Sequence, residues 1–174
     1  MNWLWLTVIV AVLDQITKQW AESVLTAHQA VSAMPNLNWT LMYNEGAAFS
    51  FLSDAGGWQR WFFIGLSSAI SLFLFFWLKQ AGSEKKLLST GLALILGGAI
   101  GNLIDRALFG HVIDFIQYFY QANSCLPGFS LWNLADGPLC FWPAFNIADM
   151  AISLGAAILV IDIIKEHFEE KNNG

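Results

Sequence analysis

Two uncharged stretches of eighteen residues, Trp61 to Leu78 and Leu87 to Ile104, constrain this chain more than any other feature. At about 1.5 Å of rise per residue each makes a helix of roughly 27 Å, close to the hydrocarbon thickness of a bilayer. A helix satisfies all its own backbone hydrogen bonds, which lipid cannot do for it. Two further segments follow the same logic. Trp3 to Val12 is apolar, and its helical pattern continues through Asp14, Lys18 and Trp20; Pro143 opens a run from Ala144 to Ile164 whose only charged residues are Asp149 and Asp162. With 56% hydrophobic and 12% charged residues and a mean hydropathy of +0.53, the 174-residue chain is too apolar for an ordinary soluble domain. The fold class expected is an all-α integral membrane protein with four transmembrane helices, about 3–21, 60–78, 87–106 and 144–165, in one domain without internal repeats. The first helix lacks the basic flank and small-residue cleavage site of a secretory signal, so it is expected to be retained.

Between the first two helices the pattern changes. Pro35, Asn36, Asn38, Asn44, Gly46, Gly56 and Gly57 break any long helix, and Leu37, Trp39, Leu41 and Tyr43 alternate with Asn38, Thr40, Met42 and Asn44. That period of two predicts a strand with one apolar face. Asn44-Glu45-Gly46 has turn composition, and Ala47, Phe49 and Phe51 alternate beyond it, so a small β-hairpin or sheet is expected within about 30–57, on the membrane surface. Residues 117–142 contain Pro127, Gly128, Gly137 and Pro138, and read as a surface loop.

Basic residues set the orientation. None occurs between Lys18 and Arg60 or between Arg106 and Lys165, whereas Lys79, Lys85 and Lys86 lie in one connection and Lys165 and Lys171 in the tail. By the positive-inside rule both termini are cytoplasmic, and both segments free of basic residues are outside. Asp105 and Asp114 then emerge at the outer face, with Asp149 about one turn below it. The net charge of −5, with no basic cluster beyond Lys85 and Lys86, excludes a nucleic-acid partner.

The polar residues crowd at that outer face: Asn102, Asp105, Arg106, His111 and Asp114 fall within thirteen positions. Ionisable groups at membrane depth are costly and usually have a partner or a task. Two carboxylates sharing a proton can activate water and protonate a leaving amine, and Asp114 and Asp149 are the candidates. Asp14 and Lys18, four apart, suit an ion pair. His28, His111 and His167 are scattered without metal-ligand spacing, so neither a metal nor another cofactor is expected. No Gly-x-Ser-x-Gly elbow supports a nucleophilic serine. The competing class is a transporter or accessory protein with a buried ion path, but such a path needs polar steps through the full depth, and the second helix has none.

Asp14-Gln-Ile-Thr-Lys18, Asn44-Glu-Gly-Ala-Ala-Phe49, Gly101-Asn-Leu-Ile-Asp-Arg106, His111-Val-Ile-Asp-Phe115 and Phe145-Asn-Ile-Ala-Asp149 together resemble the motif set of bacterial lipoprotein signal peptidase, signal peptidase II. The resemblance runs in order over nearly the whole chain. It implies an aspartic endopeptidase of the bacterial inner membrane, active at the periplasmic face, that cuts diacylglyceryl-modified prolipoproteins before the lipidated Cys and is the target of globomycin. Its other partner would be membrane lipid. The catalytic pair would be Asp114 and Asp149. Asn44, Asn102, Arg106 and Asn146 would line the pocket and hold substrate backbone, with Asp14, Lys18 and Asp105 as supports. Asn44 can equally be a turn residue, and Asp105 with Arg106 a structural ion pair.

One segment departs from the family: 121–142 is longer than the usual connection between the catalytic segments. It also holds Asn133-Leu-Ala-Asp136, a copy of the Asn146-Ile-Ala-Asp149 pattern, but Gly137-Pro138 would stop a helix there whereas Met150 onward continues one. Cys125 and Cys140, the only cysteines, share this segment, and in an oxidising compartment they are expected to pair.

Overall fold

The computed structural model describes residues 3–46, 58–82, 85–134 and 137–173. Four helices, α1 (Trp3–Val24), α2 (Trp58–Ala81), α3 (Lys86–Leu108) and α4 (Ile147–Asn173), are joined with five strands, β1 (Ala30–Met34), β2 (Leu37–Asn44), β3 (Val112–Gln121), β4 (Ser130–Leu134) and β5 (Gly137–Phe141). The all-α expectation is therefore corrected: a five-stranded antiparallel sheet of order β1-β2-β3-β5-β4 accompanies the helices. Hydropathy finds the bilayer-length runs and is blind to short strands whose partners are distant in sequence.

Among the described residues, three helices are long and apolar enough to cross a membrane: Arg60–Ala81, Lys86–Leu108 and Ile147–Glu169. The central one is α3. It packs against α1, α2 and α4, and its Leu92, Ala93 and Leu96 form a buried cluster with Leu74 and Leu78 of α2. Glycines permit this closeness, since a Cβ on Gly97 would stand 2.7 Å from Val10 Cβ of α1, and one on Gly155 of α4 only 2.7 Å from the Gly91 carbonyl. Small residues of α3 thus let two neighbouring helices approach closely.

The buried residues of α1 are Thr7, Val10, Asp14, Lys18 and Ala21, spaced three or four apart on one face. Its exposed side carries Trp5, Val8, Ile9, Val12, Leu13, Ile16 and Trp20. This is the reverse of a water-soluble helix, which hides its apolar stripe and exposes its charges.

The predicted strand is β2, with the bounds that the alternation marked. Its hairpin partner is β1, joined through Asn36 at φ 67°, a left-handed conformation that Asn tolerates in turns. The alternation at Ala47, Phe49 and Phe51 lies outside the described residues. On its other side β2 pairs with β3. The segment read as a loop is largely sheet instead, because β3 runs to Gln121 and is followed by the β4–β5 hairpin. Its Gly and Pro residues exclude a helix but fit this arrangement: Gly128 and Gly137 have φ of 90° and 115°, and Pro138 stands near the start of its strand, where its carbonyl accepts the Ala122 N–H at 3.3 Å. A disulfide joins Cys125 to Cys140.

Candidate active site

The polar residues converge where the ends of α1 and α3 meet β3 and the start of α4. Helix α4 begins after Asn146, whose side-chain Oδ1 accepts the Asp149 N–H at 2.9 Å while the Asn146 N–H donates to Asp149 Oδ2 at 3.3 Å. This reciprocal cap satisfies two backbone donors and fixes the Asp149 carboxylate at the same time. The Asn146 amide nitrogen points the other way. It donates to Asp114 Oδ1 at 2.7 Å, and to the Ile113 carbonyl and Asn102 Oδ1 at 3.2 Å each. One fully buried residue therefore binds both carboxylates, Asp114 through its side-chain amide and Asp149 through its backbone N–H.

Each carboxylate has a second donor. Asn102 of α3 donates to Asp149 Oδ1 at 2.9 Å, and Asn44, at the end of β2, donates to Asp114 Oδ2 at 3.3 Å. Asn44 also accepts the Gly46 N–H at 3.1 Å, so it is both a turn residue and a site residue. The environments differ: Asp114 is buried at 3% exposure, and Asp149 is only partly buried. Burial pushes the Asp114 carboxyl up from 3.8 to about 7, the charge on Asp149 adds to the rise, and the bonds from Asn44 and Asn146 and the charge of Lys18 oppose it.

Beneath the pair lies a buried ionic cluster. Lys18 has no exposed side-chain surface, and its ammonium meets Asp14 at 2.7 Å, Asp105 at 2.8 Å and Asn102 Oδ1 at 2.9 Å. Its three donors thus have three acceptors. Asp14 Oδ1 accepts the Ala148 N–H at 2.9 Å, placing a carboxylate at the N-terminus of α4, where orphan backbone donors and the helix dipole favour negative charge. Asp105 Oδ2 accepts the Ile113 N–H at 3.1 Å, one residue before Asp114. The ion pair suggested for Asp14 and Lys18 is present. Asp105 pairs with Lys18 rather than forming the local pair with Arg106 that their adjacency suggested.

Arg106 donates from Nη2 to the Gly46 carbonyl at 3.1 Å and lies 5.4 Å from the centre of the Phe63 ring. Its buried Nε has no hydrogen-bond partner among the described residues. His111 packs against Tyr43 with ring centres 4.5 Å apart. Among the described residues no group of three His, Cys, Asp or Glu side chains could hold a metal ion. The decoy Asp136 lies outside the described residues.

Gln15 was missed in the sequence. It donates to Asp105 Oδ1 at 2.7 Å and to the Gly101 carbonyl at 3.2 Å, bracing α1 against α3 beside Lys18. Its place beside Asp14 within the Asp14–Lys18 motif is the available signal.

Known proteins resemble this chain over nearly its whole length. The family model described as signal peptidase (SPase) II matches residues 6–165. A lipoprotein signal peptidase of Pseudoalteromonas atlantica is 46% identical over 165 residues, covering 95% of this chain and 90% of the relative. One from Acinetobacter baumannii is 48% identical, covering 92% and 81%. A solved structure of a bacterial membrane enzyme at 2.3 Å superposes with a TM-score of 0.73 at 28% identity, covering 95% of this chain and 89% of that one. A second, at 1.9 Å, has a TM-score of 0.69. The matched region contains every polar residue of the site described above, and the chain belongs to the signal peptidase II family.

Proposed function

We propose that the chain is an aspartic endopeptidase that removes signal peptides from diacylglyceryl-modified prolipoproteins, cutting before the lipidated Cys with a water activated by Asp114 and Asp149. The observation that carries this reading is that Asn146 holds both carboxylates at once. Two acids in unequal surroundings can divide the work of peptide hydrolysis. Burial and the neighbouring charge favour a protonated Asp114, and the weakly held Oδ2 is the oxygen to carry that proton. Asp149, the more exposed of the two, takes a proton from water as the water oxygen attacks the scissile carbonyl. Asp114 gives its proton to the carbonyl oxygen. When the tetrahedral intermediate collapses, the proton held by Asp149 passes to the leaving amine nitrogen, the C–N bond breaks, and Asp114 takes back a proton from a hydroxyl of the intermediate as the carbonyl re-forms. Asn102 and Asn146 keep Asp149 oriented. Arg106, with donors to spare, would hold substrate backbone carbonyls beside Asn44.

Helix α1 completes four membrane spans, since its apolar exterior suits lipid and its charges face the bundle. The basic-residue pattern favours an inner-membrane protein with cytoplasmic termini and a periplasmic active site, and globomycin would compete for the same pocket. The test is gel-resolved cleavage of a lipidated prolipoprotein by purified protein. Asp114→Asn and Asp149→Asn should each lose turnover by roughly 10²–10⁴-fold or more, since Asn cannot exchange a proton near neutral pH. Asp136→Asn should resemble the parent. Substantial turnover by Asp149→Asn would remove the dyad.

A further inference from the structure

The β4–β5 hairpin is not used by the proposed chemistry, although it lies in the connection between Asp114 and Asp149. We propose that it is a lipid-binding element, seated in the headgroup layer of the leaflet on the active-site side, with Leu126, Leu131 and Trp132 as its anchors.

Three observations converge. First, the hairpin and the turn that leads into it are exposed and apolar: Leu126 of the turn is 65% exposed, and Trp132 and Leu131 of β4 are 60% and 46%. Leu131 and Trp132 are successive residues of β4, so they project from opposite faces. A surface made for a folded protein partner would have one apolar face; an element immersed in an interfacial layer has two. Second, charge is nearly absent. From Phe115 to Ala148 the sequence contains a single charged residue, Asp136. As the last strand of the sheet, β4 has one edge without a strand partner among the described residues, and in water such an edge is normally guarded by Lys or other charges. Here β4 carries Trp132, and Tyr118, Tyr120 and Trp142 lie elsewhere in the same segment, residues whose apolar rings and polar handles suit the headgroup level.

Third, the hairpin is held at the level of the helix ends. Ile116 and Phe145 exchange backbone hydrogen bonds of 2.9 Å in both directions, and the Trp142 N–H donates to the Tyr118 carbonyl at 2.9 Å, shortly before α4 enters its bilayer-length run at Ile147. Rigidity comes from within. The Cys125–Cys140 disulfide closes the hairpin, Trp132 packs edge-on to Phe141 at 6.0 Å, and Phe129 contacts Tyr120 and Trp142 at 5.0 Å each. A stiff anchor loses little conformational entropy on insertion. Sheet and α4 would then be fixed at one depth relative to the bilayer surface.

The experiment uses the full chain labelled with 5-fluorotryptophan in nanodiscs of phosphatidylethanolamine and phosphatidylglycerol. The Trp132 fluorine resonance is assigned by its disappearance in Trp132→Phe, a change that preserves the ring packing. Lipid spin-labelled near the headgroup should broaden this resonance until it is lost, and a water-soluble gadolinium chelate should leave it sharp. Loss of the signal to the chelate with no effect of spin-labelled lipid would overturn the proposal. So would protection from both that appears only when a peptide of the lipoprotein segment following the lipidated Cys is added, because the hairpin would then be a protein-docking site.

Discussion

Asn146 and Asp149 cap the start of α4 by mutual hydrogen bonds of 2.9 and 3.3 Å, and the remaining donor of the same asparagine reaches Asp114 at 2.7 Å. A helix cap is thereby turned into a clamp between two carboxylates. Asn146→Ala removes the side-chain half of the cap, worth about 1 kcal/mol, and the donor to Asp114, while the backbone N–H to Asp149 remains. The expected result is a modest fall in thermal stability with a far larger fall in kcat. A KM change with kcat preserved would show that Asn146 serves substrate binding alone.

Asp114 predicts a pH dependence of stability. Its carboxyl is raised from 3.8 to about 7 in the folded chain, so between these values the folded state binds more protons than the unfolded one. Stability from this group is complete below about 4 and is lost as pH rises through about 7. Asp114→Asn cannot ionise, and it should gain stability over the parent by a few kcal/mol as pH is raised through that window, as an order of magnitude. Denaturation of both proteins in detergent at acid and neutral pH checks this, and a constant difference between them would contradict the shift. Activity should follow two macroscopic values that belong to the pair.

Lys18→Met should be among the most destabilising single substitutions. Asp14 and Asp105 would lose the cation that each meets within 2.8 Å, and a buried ion pair broken on one side typically costs about 3–5 kcal/mol. Lys18→Met combined with Asp105→Asn should recover part of the loss in a thermal melt. An additive double variant would mean that the two groups are not coupled.

The disulfide should matter for stability and not for chemistry. Closing a loop with a sequence separation of 15 corresponds to about 3 kcal/mol on the chain-entropy model. Cys125→Ser with Cys140→Ser should lower the melting temperature while preserving cleavage of a prolipoprotein. Loss of turnover in a folded variant would place the hairpin inside the catalytic machinery.

Orientation is testable separately. A reporter fused after Gly174 should be cytoplasmic, because Lys165 and Lys171 follow the last apolar run. Alkaline phosphatase activity from that fusion would invert the topology and move both aspartates to the other face.

The sequence by itself determined the bilayer-length runs, the strand Leu37–Asn44 and the five motifs, because hydropathy, two-residue alternation and short polar spacings are properties of neighbouring residues. It also brought Asp14 within one helical turn of Lys18. Only the tertiary structure decided what those groups bind. Lys18 meets Asp105 on another helix, Asp14 caps α4 from 134 residues away, and Asn146 takes Asp114 across 32. The same holds for the strands after Gln121: Gly137 and Pro138 exclude a helix locally, but whether the segment becomes loop or sheet depends on pairing with β3, which no local pattern encodes. Buried polar groups must find partners wherever the packed helices bring them, and it is this long-range requirement that places two aspartates on one asparagine.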